Sequence, residues 1–220
     1  MNQLDGNSKV GDIVTQSPGA AKVFARHGID FCCGGGRPLG DACGERGVAV
    51  DKVLAEIASA DAPPDAPDWS ALGLEQLCDE IERRYHVPQL EDLTRLEGLA
   101  RKVASVHGER HPELRQLAEL YIGLKEELDQ HFMKEEQVLF PMIRQMGHAP
   151  PPPVEVMRRE HVEAGDVLRK LREVSGGYAL PADACNSYRA LYEGLAAFER
   201  DLHEHIHVES NILFPRALPF

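Results

Sequence analysis

Between residues 73 and 211 the apolar positions recur at intervals of three and four, the spacing of one helical face. Leu, Ile, Val and Ala carry the repeat, and charged residues fill the intervening positions. Four segments emerge. The first covers about 73–106, with Pro88 marking a kink or break. The second covers about 112–146 and ends at the glycine and prolines of 147–153. The third covers about 154–174, stopped by Gly176 and Gly177, and the fourth about 182–211, with Pro215 beyond it. Four long amphipathic helices with shortish loops predict an up-down-up-down antiparallel bundle.

The pattern before residue 61 is different. Ser17 and Pro18 form a helix start, with serine as cap and proline at the first helical position. That helix is expected to run to about His27 and stop at Gly28. Asp30, Phe31, Cys32 and Cys33 lead into Gly34, Gly35 and Gly36, too many glycines for regular structure. Short helices are expected near Leu39 to Glu45 and over Val50 to Ala60. With few large apolar residues, this unit is expected to lean on a docking partner. Three prolines among residues 61–68 predict a linker. The predicted fold class is all-α: a small helical cysteine-containing domain (1–60), a linker (61–70) and a four-helix bundle (71–220).

Composition narrows the function. The chain has 220 residues and a formal net charge of -12. Nucleic acids and anionic membranes recruit basic surface, so both are excluded as partners. No apolar run approaches the ~20 residues needed to span a bilayer. The opening residues have neither a basic cluster nor a long apolar stretch, so a cytoplasmic location is expected. Five cysteines, an odd number, do not suggest a disulfide framework.

Histidines carry the chemistry. His131 and Glu135 stand four apart, as do His205 and Glu209, and each pair shares a helical face. Similar tails follow, Val138 to Pro141 and Ile212 to Pro215. Imidazole suits iron, zinc and copper, and a carboxylate can bridge two metals. In an antiparallel pair, residues equidistant from the turn are level. His86 lies about 24 residues before the first turn and His131 about 21 after it; Glu135 and His161 lie about 15 and about 11 from the second. His205 and Glu209 fall at the same end. His107 is 21 residues from His86, about 31 Å along a helix, and is left out. His86, His131, Glu135, His161, His205 and Glu209 are therefore the candidate ligands of two metals. Each metal would take two imidazoles, Glu135 and Glu209 would bridge, and water, oxo or hydroxo groups would complete the spheres. The thiolate-free set favours iron, then manganese, then zinc.

The bundle, from about Leu72 to Phe220, resembles the hemerythrin-like proteins, which use helix-borne histidines and two bridging carboxylates for a di-iron centre. It departs from them at Gly165, four residues after His161, where hemerythrin has a further histidine. That leaves one more open position and argues against simple oxygen carriage. Asp30 to Gly35, Leu39, Ala42 and Cys43, with the following helix and linker, are similar to the N-terminal domain of the RIC (repair of iron centres) proteins. The combined resemblance implies two non-haem iron ions with an oxo or hydroxo bridge. It implies repair of iron-sulfur clusters damaged by nitrosative or oxidative stress, through iron delivery or nitric oxide handling. Damaged iron-sulfur proteins would be partners, nitric oxide a small ligand, and a homodimer the assembly to look for. The alternatives are a nitric oxide or oxygen sensor or scavenger, and a nitric-oxide-reducing oxidoreductase; a conventional enzyme is not the expectation.

Other residues have plainer readings. His203 and His207 sit on another face from His205 and read as surface or supporting groups. Glu204 and His207 form one Glu-x-x-His, but a ferritin-like site needs two. Glu160 either orients a ligand or is solvated. His27, His111 and His148 read as structural or exposed. Cys32 and Cys33, in a glycine-rich loop, are expected to be accessible and are the candidate thiol relay, with Cys43 a possible helper. Cys78 and Cys185 read as core, and Tyr85 as packing.

Overall fold

The computed structural model describes residues 4–61 and 67–219, so residues 62–66 of the expected linker lie outside the described residues. Four short helices come first: α1 (Val10–Gln16), α2 (Ala20–His27), α3 (Leu39–Arg46) and α4 (Val50–Ala58). Helix α1 was not expected. It has seven residues and no side-chain cap, and its buried Val10, Ile13 and Val14 find their partners only in the folded chain. Ser17 and Pro18 do not open α2. They form a turn before it, with Ala20 donating to the Ser17 carbonyl at 2.8 Å. Gly28 closes α2 in the left-handed conformation, φ +66°.

Four long helices follow. Helix α5 comprises Leu74–Ile81, Glu82–His86 and Val87–His107; α6 comprises Glu113–Lys134, Glu135–Leu139 and Phe140–Met146. Helix α7 is Pro151–Val174, and α8 comprises Asn186–Val208, Glu209–Leu213 and Phe214–Ala217. The middle segments of α5, α6 and α8 are π-helical. Their cause is legible in the chain. Each immediately precedes an X-Pro pair: Val87-Pro88, Phe140-Pro141 and Phe214-Pro215. Proline has no N–H, and its ring crowds the carbonyl four residues back. The residue before each proline donates five residues back, to Glu82, Glu135 and Glu209. The helix widens by one residue and continues. Pro88 is thus no break, and Pro215 lies inside α8 rather than beyond it.

The long helices run up-down-up-down, and α8 returns against α5. Two apolar clusters fill the bundle. Leu93, Leu96, Leu117, Tyr121, Leu191 and Phe198 belong to one; Ile81, Phe140, Val154, Leu213 and Phe214 belong to the other. Val10, Ile13, Phe24, Phe31 and Leu39 of the N-terminal unit join the first cluster, so that unit is docked, and its apolar residues share a core with the bundle. Asn211 forms a polar anchor, donating to the Cys32 carbonyl at 2.9 Å. Gly11 and Gly35 let the chain approach: an added Cβ would lie 2.7 and 2.4 Å from Asn211 Oδ1. Among the described residues, no helix is long and apolar enough to cross a membrane.

Candidate metal centre

Each π segment sits against the layer between the two apolar clusters and carries a candidate ligand at one end. His86 ends the first, Glu135 begins the second and Glu209 begins the third. His131 and His205 lie one helical turn before Glu135 and Glu209, while His161 comes from unbroken α7. All six residues are buried, none more than 3% exposed. Their rings are held by aromatic neighbours. His86 stacks on Phe132 with centroids 4.5 Å apart, His161 on Phe214 at 5.7 Å and His205 on Tyr85 at 5.0 Å. Tyr85 does pack, and the group it packs on is a candidate ligand.

The Nε2 atoms converge on the two carboxylates. Glu209 Oε1 is 3.0 Å from His205 Nε2 and 3.9 Å from His86 Nε2, while its Oε2 is 3.1 Å from His161 Nε2. Glu135 Oε2 is 3.4 Å from the Nε2 atoms of both His86 and His131. Two ligand groups result, sharing both glutamates. One is His86, His205, Glu135 and Glu209; the other is His131, His161, Glu135 and Glu209. The sequence left the pairing of histidines open; the structure groups α5 with α8 and α6 with α7.

The layer is unsatisfied by protein alone. Both oxygens of Glu135 and Glu209, and the Nε2 atoms of His86 and His205, have no hydrogen-bond partner. A buried carboxylate lacking donors costs several kcal/mol. Two cations in the layer would remove that cost. The donor set therefore fits a pair of metal ions.

The opposite ring nitrogen of every histidine is also held. His86 Nδ1 is 2.9 Å from Glu136 Oε1, and His131 Nδ1 is 2.8 Å from Glu160 Oε2. His161 Nδ1 is 2.9 Å from Ser210 Oγ, and His205 Nδ1 is 2.9 Å from Gln89 Oε1. Such contacts fix the tautomer that leaves Nε2 free to ligate. Each group has one imidazole backed by a carboxylate and one backed by a neutral side chain. Glu160 also pairs with Lys134. The His131 hydrogen bond, followed by Lys134, lowers its carboxyl to about 2. A cavity of about 120 Å³, lined by His131, Lys134, Glu160, His161, Leu202 and His205, reaches the layer between α6, α7 and α8.

Residues 78–217 match the family described as hemerythrin HHE cation binding domain. The chain belongs to the hemerythrin family. Residues 6–61 match a domain of unknown function, DUF542. The chain is 40% identical over 210 residues to an iron-sulfur cluster repair protein YtfE of Enterobacter sp. (strain 638), covering 95% of this chain and 96% of the relative. It is 40% identical over 214 residues to the Pectobacterium atrosepticum protein of the same name, with 96% and 97% covered. The Musicola paradisiaca protein, also so named, is 40% identical over 211 residues, with 95% of each covered.

In this hemerythrin-family chain several sequence expectations change. Cys32 is not accessible; it is 2% exposed, because the loop is pressed against α8. Its thiol lies 3.2 Å from Asp30 Oδ1, 3.3 Å from His203 Nδ1 and 3.9 Å from Cys33 Sγ. Burial and the neighbouring Cys33 and Asp30 push that thiol up, the Cys33 hydrogen bond foremost. Cys33 is half-buried and donates to the His161 carbonyl at 3.4 Å. A Cβ at Gly165 would meet Cys33 Sγ at 3.9 Å, so a cysteine thiol borders the space beside residue 165. His207 is not a surface group: it is 4% exposed and donates through Nδ1 to the Phe31 carbonyl at 3.2 Å. Burial lowers it to about 4. Cys78 is buried, but Cys185 is exposed because it precedes the first turn of α8 rather than lying on its inner face. His107 sits at the far end of α5 from the layer. Gln89, Glu136, Ser210 and Asn211 were missed. Glu136 and Ser210 carry a signal in hindsight, since each directly follows a candidate bridging glutamate.

Proposed function

We propose that this chain is a non-haem di-iron protein that repairs iron-sulfur clusters damaged by nitrosative or oxidative stress. His86 and His205 would hold one iron and His131 and His161 the other. Glu135 and Glu209 would bridge, with an oxo or hydroxo group as the further bridge. The observation that carries this reading is the pair of buried, donorless glutamates between four imidazoles that are each held from behind. The repair role is supported by the names of relatives that match nearly the whole chain. Iron bound here supplies one-electron chemistry and open positions for a small ligand such as nitric oxide.

The chain's own residues would bind and orient. The carboxylates of Glu136 and Glu160 keep the imidazoles of His86 and His131 in one tautomer. The rings of Phe132, Phe214 and Tyr85 stack on His86, His161 and His205 and hold those imidazoles in place. Cys32 and Cys33 lie against α8 and α7, and Cys33 faces the main chain of a candidate ligand. That placement supports a thiol relay to damaged iron-sulfur partners. Cys43, the further candidate, is buried in α3, and burial raises its thiol.

Purified protein should carry about two irons per chain. Glu135→Ala or Glu209→Ala should lose most of that iron, whereas His107→Ala should keep it. Reduced, iron-loaded wild type should reactivate a damaged cluster enzyme, and the Cys32→Ala, Cys33→Ala double variant should do so poorly. A protein that binds only zinc, or that retains iron after both glutamate changes, overturns the reading. Saturation with nitric oxide at about one equivalent per site without any reactivation would favour a scavenger.

A further inference from the structure

At the end of the bundle remote from the metal layer, a thiol and an imidazole form a pair that the proposed repair chemistry does not use. Cys185 Sγ lies 3.1 Å from His107 Nε2. The cysteine is exposed and the histidine is 5% exposed, so the thiol can meet a solute while the ring is fixed beneath it. The ring packs on buried Tyr188 at 5.4 Å, and its Nδ1 has no partner. Nε2 is therefore the only ring nitrogen with polar company, and that company is sulfur.

The pair lies where two helix ends meet. Cys185 is the N-cap of Asn186–Val208, and its carbonyl accepts from Arg189 N–H at 3.0 Å. The sulfur thus stands at the start of a 23-residue helix. His107 is the last residue of Val87–His107. Antiparallel packing of α5 and α8 brings these opposite ends together. The other charged groups nearby are mutually engaged: His111 and Arg110 with Asp183, and His111 also with Glu113.

We propose that Cys185 and His107 form a peroxide-reactive dyad, a modification site separate from Cys32 and Cys33. His107 Nε2 takes the thiol proton. The sulfur then attacks one oxygen of hydrogen peroxide; an S–O bond forms and the O–O bond breaks. Sulfur loses two electrons and the peroxide gains them. The departing hydroxide takes the proton from His107 and leaves as water, and Cys185 becomes a sulfenic acid. The dyad lies about 30 Å along α5 from His86, so it needs no metal.

The test uses the full chain. Iodoacetamide alkylation of Cys185, followed by peptide mass spectrometry, should be roughly tenfold faster in the folded chain than in the same chain unfolded in denaturant. Dimedone should trap a sulfenic acid at Cys185 after sub-stoichiometric hydrogen peroxide. His107→Gln should lower both reactions roughly tenfold at an unchanged thermal midpoint, and Cys185→Ser should abolish the labelled peptide. A folded Cys185 that reacts no faster than the unfolded one overturns the proposal without recourse to any variant. Equal rates in a folded His107→Gln protein would overturn it too.

Discussion

Replacing Glu136 or Glu160 by glutamine should separate the two proposed iron positions. Glutamine keeps an oxygen acceptor for the ring N–H and removes only the charge. A hydrogen bond to a charged group is worth about 1.5–3 kcal/mol, and a neutral one about 0.5–1.5. The difference, about 1–1.5 kcal/mol, corresponds to roughly five- to tenfold in a rate or affinity. Solvent screens this unequally. The Glu160 side chain is 21% exposed and contacts His131 at 2.8 Å, so the larger figure applies. Glu136 is 40% exposed, and roughly threefold is expected there. The assay is release of iron to an excess of chelator, followed by the colour of the chelate. Glu160→Gln should accelerate one kinetic phase, that of the position held by His131 and His161. Glu136→Gln should accelerate the other, and the double variant both. If the two variants speed the same phase, or neither alters any phase, the division of histidines between two positions is wrong.

Further outcomes follow from other contacts. Gly35→Ala would place a Cβ 2.4 Å from Asn211 Oδ1 and 2.7 Å from the Phe31 carbonyl, so the cysteine loop should lift from α8. Cys32 labelling should then rise about tenfold or more with iron content unchanged, and unchanged labelling would show that the loop accommodates the methyl group. Burial alone would raise the Glu199 carboxyl, but His203 and Arg172 outweigh it and hold it below the ordinary range. The folded state thus binds fewer protons than the unfolded one, so this group's stabilisation is present above about pH 4.3 and is lost as pH falls through the lower folded value. Wild type should therefore exceed Glu199→Gln in denaturant midpoint at neutral pH and converge with it in acid. Leu96→Ala removes a fully buried side chain that lies against Gly194. It should cost about 2–5 kcal/mol and lower the thermal midpoint by about 2–4 °C for each kcal/mol.

Local periodicity and spacing were enough to read the bundle and the six candidate ligands. An i, i+4 pair shares a face wherever the helix is regular, and level positions in antiparallel helices follow from counting residues to a turn. His131 with Glu135, and His205 with Glu209, needed nothing more. Pro88 and Pro215 were misread because the proline rule is local while its outcome is not. Pro88, Pro141 and Pro215 each remove a hydrogen bond, and whether the helix then breaks or widens depends on what it packs against. Here both apolar clusters hold α5, α6 and α8 in line, so each widens by one residue.

Contacts between distant segments were not legible in the same way. Cys32 and His203 are 171 positions apart, and Cys185 and His107 are 78 apart. Nothing in a glycine-rich loop says that it will be pressed against a helix face, so its thiols looked open. The pairing of His86 with His205 rather than with His131 depends on where each ring points across the bundle. The chain by itself determined which residues share a helix face and a level. Only the tertiary structure decided which faces meet, because that choice is made by burial of apolar surface from all the helices at once.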